Sequence, residues 1–282
     1  MKNRLFGRVL AALAATFLLF SGAAQAAYKD ISASSGKLRI HYPSTTPSQC
    51  TAILLGVGTA MDIDSYDNLA GEIIKKGYIV AILDHNPGNI VKTDAGKFRN
   101  LALETKSKLL SWIGTSQCNV VARWTMGGHS AGGQAAFNAM VSDAGLAQAH
   151  ISIDPFDISN SGSISVPGLY WGLDVTTCFV DKEKAAKAAY YRSAGKRMFV
   201  RVNKTYTVGP CGYSPKYYHC SFADGSCPAC TSCMYAPSSF YVDIAGSVDR
   251  FLKAAFGGTW SKAAVSGSMT TPVTLFVDAD KP

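Results

Sequence analysis

The chain has 282 residues, 48% hydrophobic and 16% charged, a balance that excludes an intrinsically disordered protein. Its 26 glycines and 11 prolines follow no Gly-X-Y period, which excludes a collagen-like chain. The net charge of +8 includes Lys2, Arg4 and Arg8; without them 24 basic residues face 19 acidic ones, a mild, scattered excess unlike the clustered footprint of a nucleic-acid binder.

Residues 1–26 read as a secretory signal peptide. A basic start leads into an apolar run over 9–20 and then Ala24-Gln25-Ala26, a small-x-small cleavage site. The run is too short to span a bilayer, which needs roughly 20 residues. The product is therefore expected to be secreted or periplasmic, without an integral membrane segment. An oxidising compartment turns eight cysteines (Cys50, Cys118, Cys178, Cys211, Cys220, Cys227, Cys230, Cys233) into candidates for up to four disulfides. It also disfavours zinc at Cys227-x-x-Cys230-x-x-Cys233, because zinc needs thiolates.

From residue 27 onward, short apolar runs alternate with helical periodicity. Residues 37–42 form a candidate strand, paired near Tyr28, and 51–57 (TAILLGV) a buried one. Asp64 or Ser65 can cap a helix whose apolar residues Tyr66, Leu69, Ala70, Ile73 and Ile74 share one face, ending at Gly77. Residues 78–83 form the next strand, and Phe98 through Ile113 line another helix. Strands follow at 120–126, 150–153, 169–173 and 197–202, with a short helix at 134–141 and a C-terminal helix through Val248 to Phe256. The less periodic residues after Gly257 are expected to wrap the body as a tail. This alternation predicts an α/β fold with a mostly parallel central sheet and helices on both faces, in one domain over 27–282.

The segment with chemistry in it is Met126-Gly127-Gly128-His129-Ser130-Ala131-Gly132-Gly133. G-x-S-x-G between an apolar strand and a small-residue helix is the context of a nucleophile elbow, a turn so sharp that Gly128 and Gly132 must be tiny. Ser130 needs a base. Of the five histidines, only His150 and His219 follow it in the chain order serine, acid, histidine, and His150 sits at the wrong end of its strand. His219, in a loop after the last expected strand, is the candidate base. The side chain of His129 should point away from Ser130. Asp154 and Asp174 both close strands, and either can supply the acid that orients the imidazole. Ala131, after the nucleophile, and Thr59, in the turn after the first central strand, are the candidate oxyanion donors.

These residues resemble the α/β-hydrolases, within them the chlorophyllase-like and PET-hydrolase (cutinase-like) branch. GHSAGGQAAFNAM is similar to the chlorophyllase elbow and helix, and ISIDPFD to the segment after the next strand. Gly58, Tyr66 and KKGYIVAILDHN resemble the oxyanion-loop block of both groups, PFDISNSGSISVPGLYW the polyester-hydrolase stretch, and HCSFAD with VDRFLKAAF the chlorophyllase-like end. The similarity covers about residues 50–257. The chlorophyllase pattern implies Asp154 as the acid and the polyester-hydrolase pattern Asp174, with Asp154 preferred. Phe156 falls where polyester hydrolases carry a cleft-lining aromatic. The family's strand order implies a Cys50–Cys118 disulfide at the amino ends of neighbouring strands, on the face opposite the active site. The other six cysteines are expected to tie down the His219 loop.

The expectation is an exported serine hydrolase that cleaves carboxylic esters through Ser130, His219 and Asp154, with no metal or organic cofactor, acting as a monomer on small-molecule, lipid or polymer esters. A peptidase or amidase with the same triad, or a non-catalytic binding protein on the same scaffold, are the alternatives.

Overall fold

The structure, a computed structural model, describes residues 27–45, 48–116, 118–158, 161–178, 180–181, 183–209, 212–224 and 236–282. The expected signal peptide lies outside them, as do Cys211, Cys227, Cys230 and Cys233. In chain order the elements are β1 (Ala27–Ala33), β2 (Gly36–Tyr42), β3 (Gln49–Gly56), α1 (Asp67–Ile74), β4 (Ile79–Asp84), α2 (Ala95–Ile113), β5 (Val120–His129), α3 (Ser130–Ser142), β6 (Ala149–Ile153), β7 (Gly168–Leu173), α4 (Lys184–Arg192), β8 (Arg197–Val202), β9 (Tyr206–Gly209), β10 (Gly212–Pro215), α5 (Ser238–Gly257), α6 (Lys262–Val265) and β11 (Val273–Val277).

Nine strands form one sheet in the order β1-β2-β4-β3-β5-β6-β7-β8-β11. The six from β4 to β8 run parallel; β1, β2 and β11 pair antiparallel at the two edges. Because successive side chains of a strand point to opposite faces, each apolar strand feeds two cores. On one face Ile53, Leu55, Val80, Ile82, Leu169 and Trp171 pack against α1 and α5. On the other, Ala52, Leu54, Ile79, Ala81, Tyr170 and Phe199 pack against α2, α3 and α4.

β4 lies on one side of β3 and β5 on the other. The connection leaving β3 runs to β4 and the one leaving β5 runs the other way, to β6, so a crevice opens at the carboxyl ends of β3 and β5, the place where open parallel sheets bind ligands. At the opposite, amino ends, Cys50 and Cys118 form a disulfide with Cα atoms 6.1 Å apart.

Several local expectations change. The helix after β3 is not capped by Asp64 or Ser65: a 3₁₀ turn (Ile63–Tyr66) intervenes, capped by Asp62, and α1 starts at Asp67. The residues after Gly257 are no loose tail, since α6 leads into β11, which pairs with β8 as an edge strand. His219 does not follow the last strand: the β9–β10 hairpin precedes it and β11 comes later. Helix α4 is not among the expected elements; it buries Ala185, Ala186, Ala189 and Tyr190 on one face.

Candidate active site

The elbow is built by glycines. A Cβ on Gly132 would lie 2.2 Å from the Gly56 carbonyl oxygen, and one on Gly128 2.6 Å from the same atom. Without side chains there, α3 starts directly against the end of β3. Ser130 opens that helix at φ 53°, a left-handed conformation that a non-glycine residue adopts at a cost of about 1–3 kcal/mol and that clusters at functional sites. Of the five non-glycine residues at positive φ among those described, Ala60, Ser130, Asp154 and Cys178 surround this crevice; the fifth is Asp278.

Asp154 follows β6 at φ 42°, its N–H on the Trp171 carbonyl. His219 Nδ1–H donates to Asp154 Oδ2 at 2.6 Å, both side chains almost wholly buried. Burial holds the Asp154 carboxyl well above its ordinary range; a hydrogen bond from the Leu173 N–H opposes this, and the nearby Glu183 carboxylate adds to it. Burial also holds the His219 imidazole below the ordinary histidine value, so it is unprotonated at neutral pH. With Nδ1 committed to Asp154, Nε2 is the nitrogen able to accept a proton. The His219 N–H donates to Thr177 Oγ1 at 2.9 Å, which fixes its backbone to the loop after β7.

His219 reaches the elbow through its neighbour. The His129 ring lies 4.5 Å from the His219 ring, and His129 Nε2 is 2.8 Å from the His219 carbonyl oxygen. Asp174 closes β7 with its N–H on the Val202 carbonyl, and among the described residues it forms no hydrogen bond or ion pair with His219. His150 is fully buried between Phe137 and Tyr170, away from the crevice.

Two backbone N–H groups near the elbow have no acceptor among the described residues. That of Ala131 lies in the first turn of α3, where no intrahelical acceptor exists and the helix dipole favours negative charge. After β3, the Val57 N–H bonds Leu83 O, Gly58 bonds Tyr66 Oη, Ala60 bonds Ile90 O and Met61 bonds Gly58 O. Thr59 has the one N–H in 57–61 with no acceptor among the described residues. The loop is backed by 85–92, which a buried ion pair, Lys92 Nζ to Asp84 Oδ1 at 2.7 Å, clamps onto β4.

Phe156 donates its N–H to the Ser130 carbonyl at 3.0 Å and leaves 44% of its surface exposed. It lines a cleft of about 420 Å³ with Asp157, Asp181, Lys184 and Arg192. Cys220, next to His219, and Cys178, next to Thr177, are both disulfide-bonded, though not to each other: their Sγ atoms are 3.7 Å apart. Among the described residues no group of three His, Cys, Asp or Glu side chains is placed to hold a metal ion.

The roles of Tyr66 and His129 were missed from the sequence. Tyr66 is legible as an apolar position on a helical face and, with Gly58, as part of the resembled oxyanion-loop block, but nothing in the pattern shows that its hydroxyl meets Gly58 and His129. No protein-family model matches the chain, and no curated protein matches it.

Proposed function

We propose that the chain is an exported serine hydrolase of the α/β-hydrolase fold that cleaves carboxylic esters. The observation that carries this reading is the buried 2.6 Å hydrogen bond between His219 and Asp154, set beside a serine held at positive φ at a helix N-terminus. In this reading Ser130 Oγ attacks the acyl carbon while His219 Nε2 takes its proton. Asp154 fixes the Nδ1–H tautomer and stabilises the imidazolium. The N–H groups of Ala131 and Thr59 hold the oxyanion of the tetrahedral intermediate. His219 returns the proton to the leaving alkoxide, giving the alcohol and an acyl-Ser130; water then repeats the sequence and releases the acid.

An apolar substrate suits the rim. Ile90, whose carbonyl supports the oxyanion loop, and Val91 are 68% and 51% exposed, and Phe156 flanks the other side. Export is supported by the Cys50–Cys118 disulfide and the bonded Cys178 and Cys220, which persist in an oxidising compartment. Among the described residues no helix is long and apolar enough to cross a membrane.

The test is a p-nitrophenyl ester series of increasing acyl length, run beside peptide anilides with Ser130→Ala as the blank. Ester turnover that the substitution abolishes is the expected result. Anilides cleaved faster than esters would make the protein an amidase, and turnover surviving Ser130→Ala would remove the serine from the mechanism.

A further inference from the structure

The residue before the candidate nucleophile sits in a buried chain of hydrogen bonds whose direction can be worked out. At one end the Gly58 N–H can only donate, and its acceptor is Tyr66 Oη at 2.8 Å. The phenol therefore has its own proton left to give. Two acceptors are in reach, His129 Nδ1 at 3.0 Å and Met61 Sδ at 2.9 Å, and an imidazole nitrogen is far the better acceptor than a thioether. At the other end the His219 carbonyl can only accept, so His129 Nε2, 2.8 Å away, carries a proton. Nδ1 of His129 then bears the lone pair that the Tyr66 hydroxyl needs. Both ends demand the same tautomer.

The surroundings leave this chain little room. Tyr66, His129 and His219 are 2%, 1% and 4% exposed. A Cβ on Gly58 would lie 3.1 Å from His129 Nδ1 and 3.2 Å from Ser130 Cβ, so the oxyanion loop rests directly on the elbow. Burial, with the neighbouring His219 adding to it, keeps the His129 ring well below the ordinary histidine pKa and hence neutral.

We propose that Tyr66 and His129 are positioning residues: the relay Gly58 N–H to Tyr66 to His129 to the His219 carbonyl holds the Thr59 oxyanion donor and the base in register on either side of Ser130. The inference rests on the hydrolase reading for its purpose but not for its geometry. Neither side chain is needed to touch substrate. Losing the relay moves the donor loop relative to the base, which lowers turnover more than binding, since small misplacements at the reacting centre cost rate steeply.

The test combines a structural and a kinetic readout on the mature protein. In histidine-15N-labelled protein, the ring spectrum should show His129 as the neutral Nε2–H tautomer from pH 8 down through the ordinary histidine range, with Nδ1 changing its shift in Tyr66→Phe. On an ester substrate, Tyr66→Phe and His129→Phe should each lower kcat by about tenfold or more with KM changed less than about twofold. His129→Gln, which keeps a donor for the His219 carbonyl, should recover part of what His129→Phe loses. A proton on Nδ1 of His129, wild-type kcat in both phenylalanine variants, or a loss confined to KM would overturn the proposal. If the wild-type protein neither hydrolyses esters nor reacts at Ser130, the hydrolase reading fails, and the relay is then judged on the ring-proton position alone.

Discussion

Asp154 and Asp174 end neighbouring parallel strands, β6 and β7, and project from the same sheet edge. Their local patterns are equivalent, and only the family resemblance favours Asp154, because what separates them is contact with a histidine 65 and 45 positions further on, which no local pattern encodes. The structure gives His219 Nδ1 to Asp154 alone among the described residues. Asp154→Asn should therefore cost turnover by roughly 10⁴-fold, as losing the tautomer-fixing carboxylate does in serine hydrolases generally, while Asp174→Asn stays within about twofold of wild type. Steady-state kcat on one ester substrate decides it, and a severe loss in Asp174→Asn with a mild one in Asp154→Asn would reverse the assignment. The strand–turn–helix around Ser130 was legible because the turn is written in closely spaced glycines, Gly127, Gly128, Gly132 and Gly133, with Gly56 and Gly58 on the facing strand end and loop. His129 was legible only as the residue beside the serine, since its partners Tyr66 and His219 lie 63 and 90 positions away.

At the scale of elements, the amino and carboxyl ends of the sheet carry different duties. The Cys50–Cys118 bridge closes a loop with a sequence separation of 68 at the amino ends of β3 and β5, while the candidate site occupies the carboxyl ends of the same two strands. Chain-entropy reasoning puts the bridge's contribution at roughly 4 kcal/mol. The Cys50→Ala/Cys118→Ala double variant should lose stability of that order in urea unfolding and keep its kcat; unchanged stability, or activity lost while the fold is intact, would contradict this division. The central strands were readable because each is a short, wholly apolar run. Helix α4 was not, because KAAKAAYYR is short and its buried face is mostly alanine, whose burial depends on Gly172, where a Cβ would lie 2.9 Å from Ala186 Cβ. The edge strand β11 escaped for a related reason: its first four residues are only partly buried, and it takes its place by pairing with β8.

The whole molecule shares one electrostatic property: burial lowers the pKa of all five histidines, His41, His85, His129, His150 and His219. Below pH 6.5 the unfolded chain binds protons there that the fold does not, so stability falls as pH falls, by at most about 1.4 kcal/mol per pH unit for each ring. Asp154 and Asp224 work in the opposite direction, because burial raises both carboxyls, Asp224 to about 6, but they are outnumbered. Tm should therefore drop from pH 7 to pH 5; a flat or rising Tm over that range would show that the histidines are not held neutral by the fold. The alternation of apolar runs and helical faces made this two-sided architecture legible, whereas the burial of each histidine depended on long-range packing. The same packing is what would make Ser130 reactive. The most direct measurement is labelling of the folded wild-type protein with a fluorophosphonate, the adduct located by peptide mass spectrometry. Stoichiometric modification at Ser130, lost in His219→Ala, is the predicted result; an unmodified Ser130 in folded protein, or labelling indifferent to His219, would contradict it.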